Sequence, residues 1–313
     1  MFDTVFVEKE YKDSSIVKSI LVKIKYKEIK EIEFIEDIWG RVKKPYLQKR
    51  ESLNLFLGKK KGTLVKEAPD AYGLGAEKHY YYIHAYNCIY ECQYCYLQGY
   101  FNSPDIVLFL NHAEIIAEMK GIIAHEPDCW FHGGEFSDSL ALSHITDEFS
   151  YYYNFFKEHP KCKLELRTKS SNIKSLLAYP PLENIYISYT LSSKDNSKIF
   201  DMKCPSLNGR IKSIEKLVEH GYQIGIHLDP MIYTENFEQQ YSELCKIISM
   251  TIPKEQLGYI SLGVVRFTKD VYREVETNYP TSQITKQDYI KSFDGKIRYN
   301  KPMRRWMMNF VKE

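Results

Sequence analysis

Apolar and polar positions alternate between two periods along the middle of the chain. Short runs of apolar, β-branched or aromatic residues are typical of strands. They occur at residues 80–86, 129–132, 164–168, 185–191, 222–228 and 259–267. Stretches with helical periodicity lie between them, at residues 111–125, 139–157, 207–220 and 236–250, with a shorter one at 172–178.

Six strands that alternate with helices predict parallel βαβ units and an α/β fold. Six units are too few for a closed eight-fold barrel, so we predict a partial (β/α)6 TIM-like barrel. Chemistry in such folds lies on the loops after the carboxyl ends of the strands. We assign the barrel to residues 71–285, an N-terminal extension without this alternation to residues 1–70, and a C-terminal tail to residues 286–313.

Charge is balanced overall but concentrated in two segments. The 313 residues include 43 Lys and Arg against 41 Asp and Glu, so bulk charge indicates no partner. Residues 41–66, however, hold nine basic residues and one acidic residue, and residues 295–313 hold six and one. The second segment also carries Tyr299, Trp306 and Phe310. Basic, aromatic segments suit nucleic acid; the alternative is a solvated surface and a C-terminal helix that packs through its aromatics.

The chain shows no feature of a membrane or secreted protein. No apolar run reaches the roughly 18 residues of a membrane span, and the first residues are too charged for a signal peptide. Seven cysteines, an odd number, do not suggest a disulfide framework. We therefore expect a cytoplasmic protein whose cysteines have a chemical role.

Three cysteines form one motif directly after the first predicted strand. Cys88, Cys92 and Cys95 are spaced C-x3-C-x2-C. Three thiolates on one loop can hold a [4Fe-4S] cluster and leave one iron open for a chelating substrate. A structural zinc site would need a fourth ligand, for which His84 is the candidate. The other cysteines, Cys129, Cys162, Cys204 and Cys245, are scattered; Cys129 and Cys162 lie at strand starts and are interpreted as small buried residues.

The cysteine spacing, with an aromatic residue before the last cysteine, resembles the signature of radical S-adenosylmethionine (SAM) enzymes. The second predicted strand ends in His-Gly-Gly-Glu at residues 132–135, which resembles the Gly-Gly-Glu segment of that superfamily. Within the superfamily, residues 88–98, ending in Tyr-Cys-Tyr-Leu-Gln, look like spore photoproduct lyase and the wider group of DNA-repair-photolyase-like proteins. The resemblance covers roughly residues 64–305.

This resemblance implies the cofactors and a set of site residues. The cofactors are a [4Fe-4S] cluster held by the three motif cysteines and SAM, which is reductively cleaved to a 5′-deoxyadenosyl radical. A reductant such as flavodoxin or ferredoxin is the implied electron-donor partner. The residues implied to bind SAM are Tyr94 by its backbone, Gly133, Gly134, Glu135, Lys169 at the methionine carboxylate, and Ser188. The implied catalytic residues are Tyr96, in radical transfer, and Glu135; Asp229 and Arg266 would contact substrate.

One departure from the lyase keeps the substrate open. The lyase has a cysteine just after its second strand that returns a hydrogen atom to the product radical. Residues 132–139 contain no cysteine here, and Glu135 stands at that place. Three hypotheses follow: repair of thymine photoproducts or related base chemistry in DNA, radical modification of a peptide or small molecule, and a non-catalytic, zinc-stabilised nucleic-acid binder.

Overall fold

The structure, a computed structural model, describes residues 2–69 and 77–313. The chain divides into two compact units. The first comprises Met1–Ile89 with Asn102–Ile187, and the second comprises Tyr90–Phe101 with Ser188–Glu313. The predicted boundary between an extension and a barrel at residues 70 and 71 lies outside the described residues, and the predicted domain limits stay a prediction.

The first unit contains most of the strands that precede residue 188. Its strands are β1 (Phe2–Glu8), β2 (Tyr26–Ile32), β3 (Leu53–Gly58), β4 (Val65–Glu67), β5 (Lys78–Tyr82), β6 (Ala85–Tyr86), β8 (Ile106–Phe109), β9 (Cys129–Gly133), β10 (Lys163–Thr168) and the first half of β11 (Ile185–Thr190). Its helices are α1 (Ser15–Lys23), α3 (His112–Ile123), α4 (Ser143–Thr146) and α5 (Phe149–Glu158).

The second unit begins with the cysteine segment. Its strands are β7 (Glu91–Cys92), the end of β11, β12 (Asp201–Met202), β13 (Gln223–Met231), β14 (Leu257–Val264), β15 (Arg266–Phe267), β16 (Tyr289–Lys291) and β17 (Ile297–Tyr299). Its helices are α2 (Leu97–Tyr100), α6 (Lys194–Phe200), α7 (Leu207–His220), α8 (Phe237–Thr251), α9 (Lys269–Asn278) and α10 (Lys301–Lys312).

The N-terminal residues build a sheet of their own, which the sequence pattern did not reveal. β1 and β2 are parallel and joined by α1, and the sheet order is β2-β1-β3-β8-β6. Val17 and Ile20 of α1 are buried against Val5 and Leu55 of this sheet. The expectation that residues 1–70 lack strand–helix alternation is therefore wrong. β2 is exposed at every position but its last, so its sequence carries no apolar alternation.

The predicted barrel strands are all present. In the first unit β5 pairs in parallel with β9, which pairs in parallel with β10, and β11 lies next to β10. In the second unit β11 lies beside β13, which pairs in parallel with β14. Phe131 on β9 packs on Phe156 of α5, so helices cover one face of these strands, as α/β layering requires.

Three predicted elements are interrupted. The strand expected at 80–86 breaks, because the Ile83 amide donates to Leu64 and the His84 carbonyl accepts from Phe109. The helix expected at 139–157 divides at Asp147, which lies in the left-handed region at φ 51°. The strand expected at 259–267 divides into β14 and β15. In contrast, α7 matches its predicted range, from the Ser206 cap to Gly221.

The C-terminal residues form a small sheet and a helix rather than a tail. β15, β17 and β16 form an antiparallel sheet, and Tyr299 of β17 is buried. On α10 the rings of Trp306 and Phe310 lie 5.2 and 6.2 Å from the ring of Phe237 on α8. These contacts support the interpretation of a C-terminal helix that packs through its aromatics.

No helix within residues 2–69 and 77–313 is long and apolar enough to cross a membrane.

A buried histidine in the first unit predicts a pH-dependent stability. Burial lowers the pKa of His112 to about 4, and its Nδ1 lies 2.9 Å from the Tyr152 hydroxyl. In the unfolded chain this histidine binds a proton near pH 6.5, whereas in the folded protein it does not until about pH 4. The contribution of His112 to the free energy of unfolding is therefore fully present above pH 6.5 and declines as pH falls toward about 4. We expect a decline of about 1 kcal/mol per pH unit that His112→Gln lacks. Chemical unfolding of both proteins between pH 7 and 5 measures it; equal pH slopes would contradict the assignment.

Candidate active site

The three motif cysteines lie on a short segment with regular structure. Cys88 follows β6 in the first unit, whereas Cys92 lies in β7 and Cys95 just before α2 in the second. The Cys95 amide donates to the Cys92 carbonyl at 3.0 Å. Gln98 Nε2 then donates to the carbonyls of Cys95 and Gln93 at 2.9 and 3.0 Å. The second and third cysteines therefore lie on a turn whose backbone is hydrogen-bonded from within.

The two tyrosines of this segment differ in environment. Tyr94 is held by a hydrogen bond from its hydroxyl to Asp201, and burial, together with this carboxylate, raises the pKa of the Tyr94 phenol. Tyr96 is 41% exposed and lies edge-on to Tyr100. The predicted radical-transfer residue is thus accessible, whereas the Tyr94 side chain is buried and fixed by Asp201.

The Gly-Gly-Glu segment lies at the carboxyl end of β9, as predicted. Gly134 has φ +85°, and a Cβ there would lie 2.7 Å from Ser139 Oγ and 3.1 Å from the Arg167 carbonyl. At Gly133 a Cβ would lie 2.7 Å from the Tyr82 hydroxyl. Both positions therefore require glycine, one for conformation and space and the other for space alone. Glu135 follows them and is half-buried.

Asp138 joins this segment to the loop after β10, a role that the sequence analysis missed. Its carboxylate accepts from Thr168 Oγ1 and from the Lys169 amide, each at 2.7 Å. It also accepts from the amides of Leu140 and Ala141 at 3.0 and 2.9 Å. Within the first unit, Asp138 therefore fixes the backbone of Lys169, the predicted carboxylate-binding residue, relative to the glycines. In the sequence, the only indication of this role is the Ser-Asp-Ser stretch at residues 137–139, shortly after Gly-Gly-Glu.

We expect Asp138→Asn to weaken SAM binding without lowering the iron content that the motif cysteines hold. The amide side chain cannot accept at both former donors with equal strength, so the Lys169 loop loosens. The dissociation constant for SAM, measured by anaerobic equilibrium dialysis, should rise about tenfold, the free-energy equivalent of one strong hydrogen bond to a charged group. The exposed Asp128→Asn is the matched control. Unchanged affinity with intact iron content would contradict this role.

Ser188 lies in a hydrogen-bonded group at the centre of the second unit's strands. It is fully buried, and its Oγ is 2.6 Å from the Tyr259 hydroxyl. That hydroxyl is in turn 3.2 Å from His227 Nε2. Gly225 makes room for the serine, since a Cβ there would lie 2.4 Å from Ser188 Oγ. Tyr259 and His227 were not singled out from the sequence.

The two residues expected to contact substrate bind each other. Arg266 donates from both Nη1 and Nη2 to the two carboxylate oxygens of Asp229, at 3.0 and 3.2 Å. The Arg266 side chain remains 46% exposed. Asp229 precedes a cis proline, Pro230, in β13. The arrangement fixes the orientation of a guanidinium that is partly exposed to solvent.

A polar row on β5, β9 and β10 was also missed. His79 Nδ1 is 2.9 Å from His132 Nε2, His132 Nδ1 is bonded to Glu165, and Arg167 approaches the same carboxylate at 3.5 Å. Glu165 is 1% exposed, whereas His79 and Arg167 are half-buried. Side chains alternate along a strand, so this row occupies the face opposite Phe131 and its helices. In the sequence, this row is indicated by polar residues two positions apart within a strand, such as Glu165 and Arg167 of β10.

The remaining cysteines and His84 have separate environments. Cys129 and Cys162 are buried, and Cys245 is half-buried. Cys204 is not isolated, contrary to its interpretation as a scattered residue, because its Sγ lies 3.5 Å from Cys92 Sγ. His84 Nδ1, the candidate zinc ligand, is bonded to the Glu148 carboxylate at 2.9 Å.

The cysteine segment fits a cluster by the chemistry of its donors. The thiols of Cys88, Cys92 and Cys95 are not joined in disulfides. No group of three His, Cys, Asp or Glu side chains in the described part of the chain is arranged around a single metal ion. A cluster does not need that convergence, since each thiolate binds a different iron.

The basic segment at residues 41–66 is partly neutralised. Lys44 and Arg50 both pair with the fully buried Asp105, at 2.6 and 2.7 Å. Burial by itself raises the pKa of Asp105, but hydrogen bonds from Lys44 and from the Asn54 amide outweigh it and hold this pKa below its usual range. Lys59 pairs with Glu114 at 2.7 Å. Much of this charge therefore stabilises the first unit.

Comparison with known sequences and structures identifies the family. A family model described as spore photoproduct lyase matches residues 59–302. The spore photoproduct lyase of Clostridium acetobutylicum is 24% identical over 218 residues, which are 68% of this chain and 65% of that protein. The enzyme of Bacillus subtilis (strain 168) is 26% identical over 205 residues, 64% of this chain and 60% of that protein. The matches span a little under two thirds of these relatives.

Solved structures show the same fold. A spore photoproduct lyase double mutant with bound AdoMet and dinucleoside spore photoproduct superposes with a TM-score of 0.82 at 20% identity, over 100% of this chain and 94% of that chain. A spore photoproduct lyase complexed with dinucleoside spore photoproduct gives 0.80, again at 20% identity, with the same coverage. The predicted α/β fold class is confirmed. Since the family model also covers most of its length, the chain belongs to the spore photoproduct lyase family.

Proposed function

We propose that this protein is a radical SAM enzyme that acts on thymine photoproducts in DNA. The observation that carries the proposal is the C-x3-C-x2-C segment on an ordered turn, in a chain matched to the spore photoproduct lyase family over residues 59–302. Its reaction class would be that of a carbon–carbon lyase. A one-electron reductant such as flavodoxin or ferredoxin would meet it in the cytoplasm.

Cys88, Cys92 and Cys95 would hold a [4Fe-4S] cluster, which with bound SAM supplies a 5′-deoxyadenosyl radical on reduction. Three thiolates would leave one iron of the cluster open to chelation by the amino and carboxylate groups of SAM. Cys92 is buried in β7, which limits access of water to this cysteine. The protein's contribution is to orient the cofactors and to exclude competing reactions.

The residues of the first unit would bind the methionine end of SAM. The backbone of Gly133 and Gly134, at the end of β9, would hold the amino group. Lys169, fixed through Asp138, would pair with the carboxylate as a point charge. Glu135, half-buried beside them, offers a further carboxylate for the amino group.

In the second unit, Tyr94, Tyr96 and Ser188 complete the proposal. The fixed Tyr94 would present its backbone to the adenine, and Ser188 would approach the ribose or the methionine. The exposed Tyr96 would transfer a hydrogen atom between substrate and cofactor.

Positive charge in the second unit supports a DNA substrate. Arg266 is held by a bidentate contact with Asp229, and its side chain is 46% exposed. On α10, burial and the neighbouring Arg298 lower the pKa of Arg304, so two guanidinium groups lie near each other there. Phosphates of a nucleic acid are ligands for such groups. The dinucleoside photoproduct bound in a matched structure makes DNA the favoured substrate class.

A second candidate function is radical modification of a peptide or small molecule. Residues 132–139 contain no thiol to return a hydrogen atom to a product radical, and the Glu135 carboxylate is a poor donor of hydrogen atoms. A different substrate would remove the need for that donor.

Product analysis of the anaerobically reconstituted protein tests the choice between the two. The protein is incubated with SAM, dithionite and dinucleoside spore photoproduct, with undamaged thymidine as the control. We expect release of thymidine from the photoproduct, detected by chromatography and mass spectrometry. Vigorous SAM cleavage without any change in the photoproduct would reject the DNA proposal and favour the second candidate.

A further inference from the structure

Cys204 lies beside a proposed cluster ligand. Its Sγ is 3.5 Å from Cys92 Sγ, within the range of a sulfur hydrogen bond. Both residues belong to the second unit, although 112 positions separate them along the chain. Neither the C-x3-C-x2-C motif nor the roles proposed above include Cys204.

Backbone pairing places the two sulfurs together. β12 pairs antiparallel with β7, so that Asp201 lies opposite Cys92 and Met202 opposite Glu91. The chain then turns back at Lys203, and the Cys204 amide donates to the Asp201 carbonyl at 3.2 Å. Lys203 has φ +60°, a left-handed conformation that is uncommon for a residue with a side chain. This turn returns Cys204 to the side of the strand that carries Cys92.

Charged groups hold the turn from two sides. Lys203 Nζ is 2.6 Å from Glu91, whose side chain is 1% exposed. Asp201 pairs with Arg210 at 2.8 Å, and neither side chain is exposed to solvent. The Tyr94 hydroxyl donates to Asp201 as well. A turn fixed by these contacts has little freedom to move the Cys204 sulfur away.

We propose that Cys204 donates a hydrogen bond from its thiol to the Cys92 thiolate when the cluster is bound, and thereby raises the reduction potential of the cluster. The inference rests on the proposed function, in which Cys92 is a cluster ligand. A thiol is a weak donor and a thiolate is an acceptor. The reduced cluster carries one more negative charge, so a donor stabilises it more than the oxidised cluster. Hydrogen bonds to cluster sulfurs are among the factors that set the potential.

Redox titration of the anaerobically reconstituted full chain, monitored by electron paramagnetic resonance, tests the proposal. In Cys204→Ala, the ratio of reduced to oxidised cluster at a fixed potential should fall about threefold to tenfold. A tenfold change corresponds to a shift of about 59 mV for one electron. Cys204→Ser retains a hydroxyl donor and should shift less. Cys245→Ala, which removes a half-buried thiol on α8 of the same unit, is the matched control and should not shift.

A second readout identifies the proton itself. Electron–nuclear double resonance in H2O and D2O should detect an exchangeable proton coupled to the cluster in the wild type and in Cys245→Ala, but not in Cys204→Ala. An unchanged potential and an unchanged proton signal in loaded Cys204→Ala would overturn the proposal. If Cys204→Ala takes up no cluster whereas Cys204→Ser does, the exchangeable-proton signal of the wild type becomes the test. Absence of that signal in the wild type would then overturn the proposal.

The outcomes separate this inference from the proposed function. Failure of both Cys204 variants to load, while Cys245→Ala loads, would overturn the hydrogen-bond role and assign Cys204 to assembly of the site. A wild-type chain that takes up no iron–sulfur cluster would reject the proposed function, and this inference with it. A loaded wild type whose potential does not depend on Cys204 rejects the inference alone.

Discussion

Replacing Cys92 with alanine will abolish both cluster assembly and SAM cleavage. Cys92 is buried within β7, so no solvent-derived ligand can readily take the place of its thiolate. Loss of residues that merely support a metal ligand typically costs 10–100-fold in affinity or activity. Loss of the ligand itself should exceed that, so we expect a fall of more than about a hundredfold. Iron and sulfide content and the yield of 5′-deoxyadenosine are the measurements.

The chain provides its own controls for this prediction. Cys88→Ala and Cys95→Ala should behave like Cys92→Ala, whereas Cys245→Ala should retain iron and activity. Cys245 lies on α8 and belongs to no motif. An active, iron-loaded Cys92→Ala would contradict the assignment of the motif. Equal losses in Cys245→Ala would show instead that thiol substitution destabilises the fold in general.

Asp201→Asn will have the largest effect on stability. The Arg210 side chain has no exposure to solvent, and its Nη1 pairs with Asp201 at 2.8 Å. The substitution keeps the shape but leaves a buried cation without its counter-charge, a change that typically costs 3–5 kcal/mol. Arg210 retains hydrogen bonds to the carbonyls of Pro205 and Thr190. We therefore expect the free energy of unfolding to fall by about 3 kcal/mol, the lower end of that range.

Urea unfolding of wild type, Asp201→Asn and Asp195→Asn measures this effect. Asp195 is exposed and accepts a hydrogen bond from Gln240, so its substitution should cost less than about 1 kcal/mol. A loss as small in Asp201→Asn would show that the buried pair contributes little. The same variant should also impair cluster loading, because Asp201 fixes the strand opposite Cys92.

The strands and helices that were predicted well have signals within their own sequence. α7 has an apolar stripe between a serine cap and a glycine in the left-handed region, so both ends are locally encoded. The barrel strands carry apolar residues, such as Phe131 and Leu164, on the face that helices cover, and this local pattern marks them as strands. The break after Tyr82 was not predictable, since it depends on hydrogen bonds to Leu64 and Phe109. Such partners are distant in sequence and leave no periodic pattern.

The candidate site, too, combines features that are encoded locally with features that depend on partners distant in sequence. The cysteine spacing and the Gly-Gly-Glu segment are each local in sequence, so the family resemblance can be recognised from the sequence alone. Asp138 accepts from the Thr168 hydroxyl and the Lys169 amide, 30 and 31 residues away, and its role follows only from the fold. Cys204 approaches Cys92 through the two-residue strands β7 and β12, which are too short to show a period. Contacts of this kind depend on tertiary structure alone.

The most direct test of the account is the anaerobic assay for 5′-deoxyadenosine. The reconstituted wild-type chain is reduced in the presence of SAM, with and without dinucleoside spore photoproduct, and the products are separated by chromatography. The account predicts 5′-deoxyadenosine or photoproduct turnover in the wild type and neither in Cys92→Ala. A wild-type protein with a full cluster that yields neither, with or without the photoproduct, would contradict it.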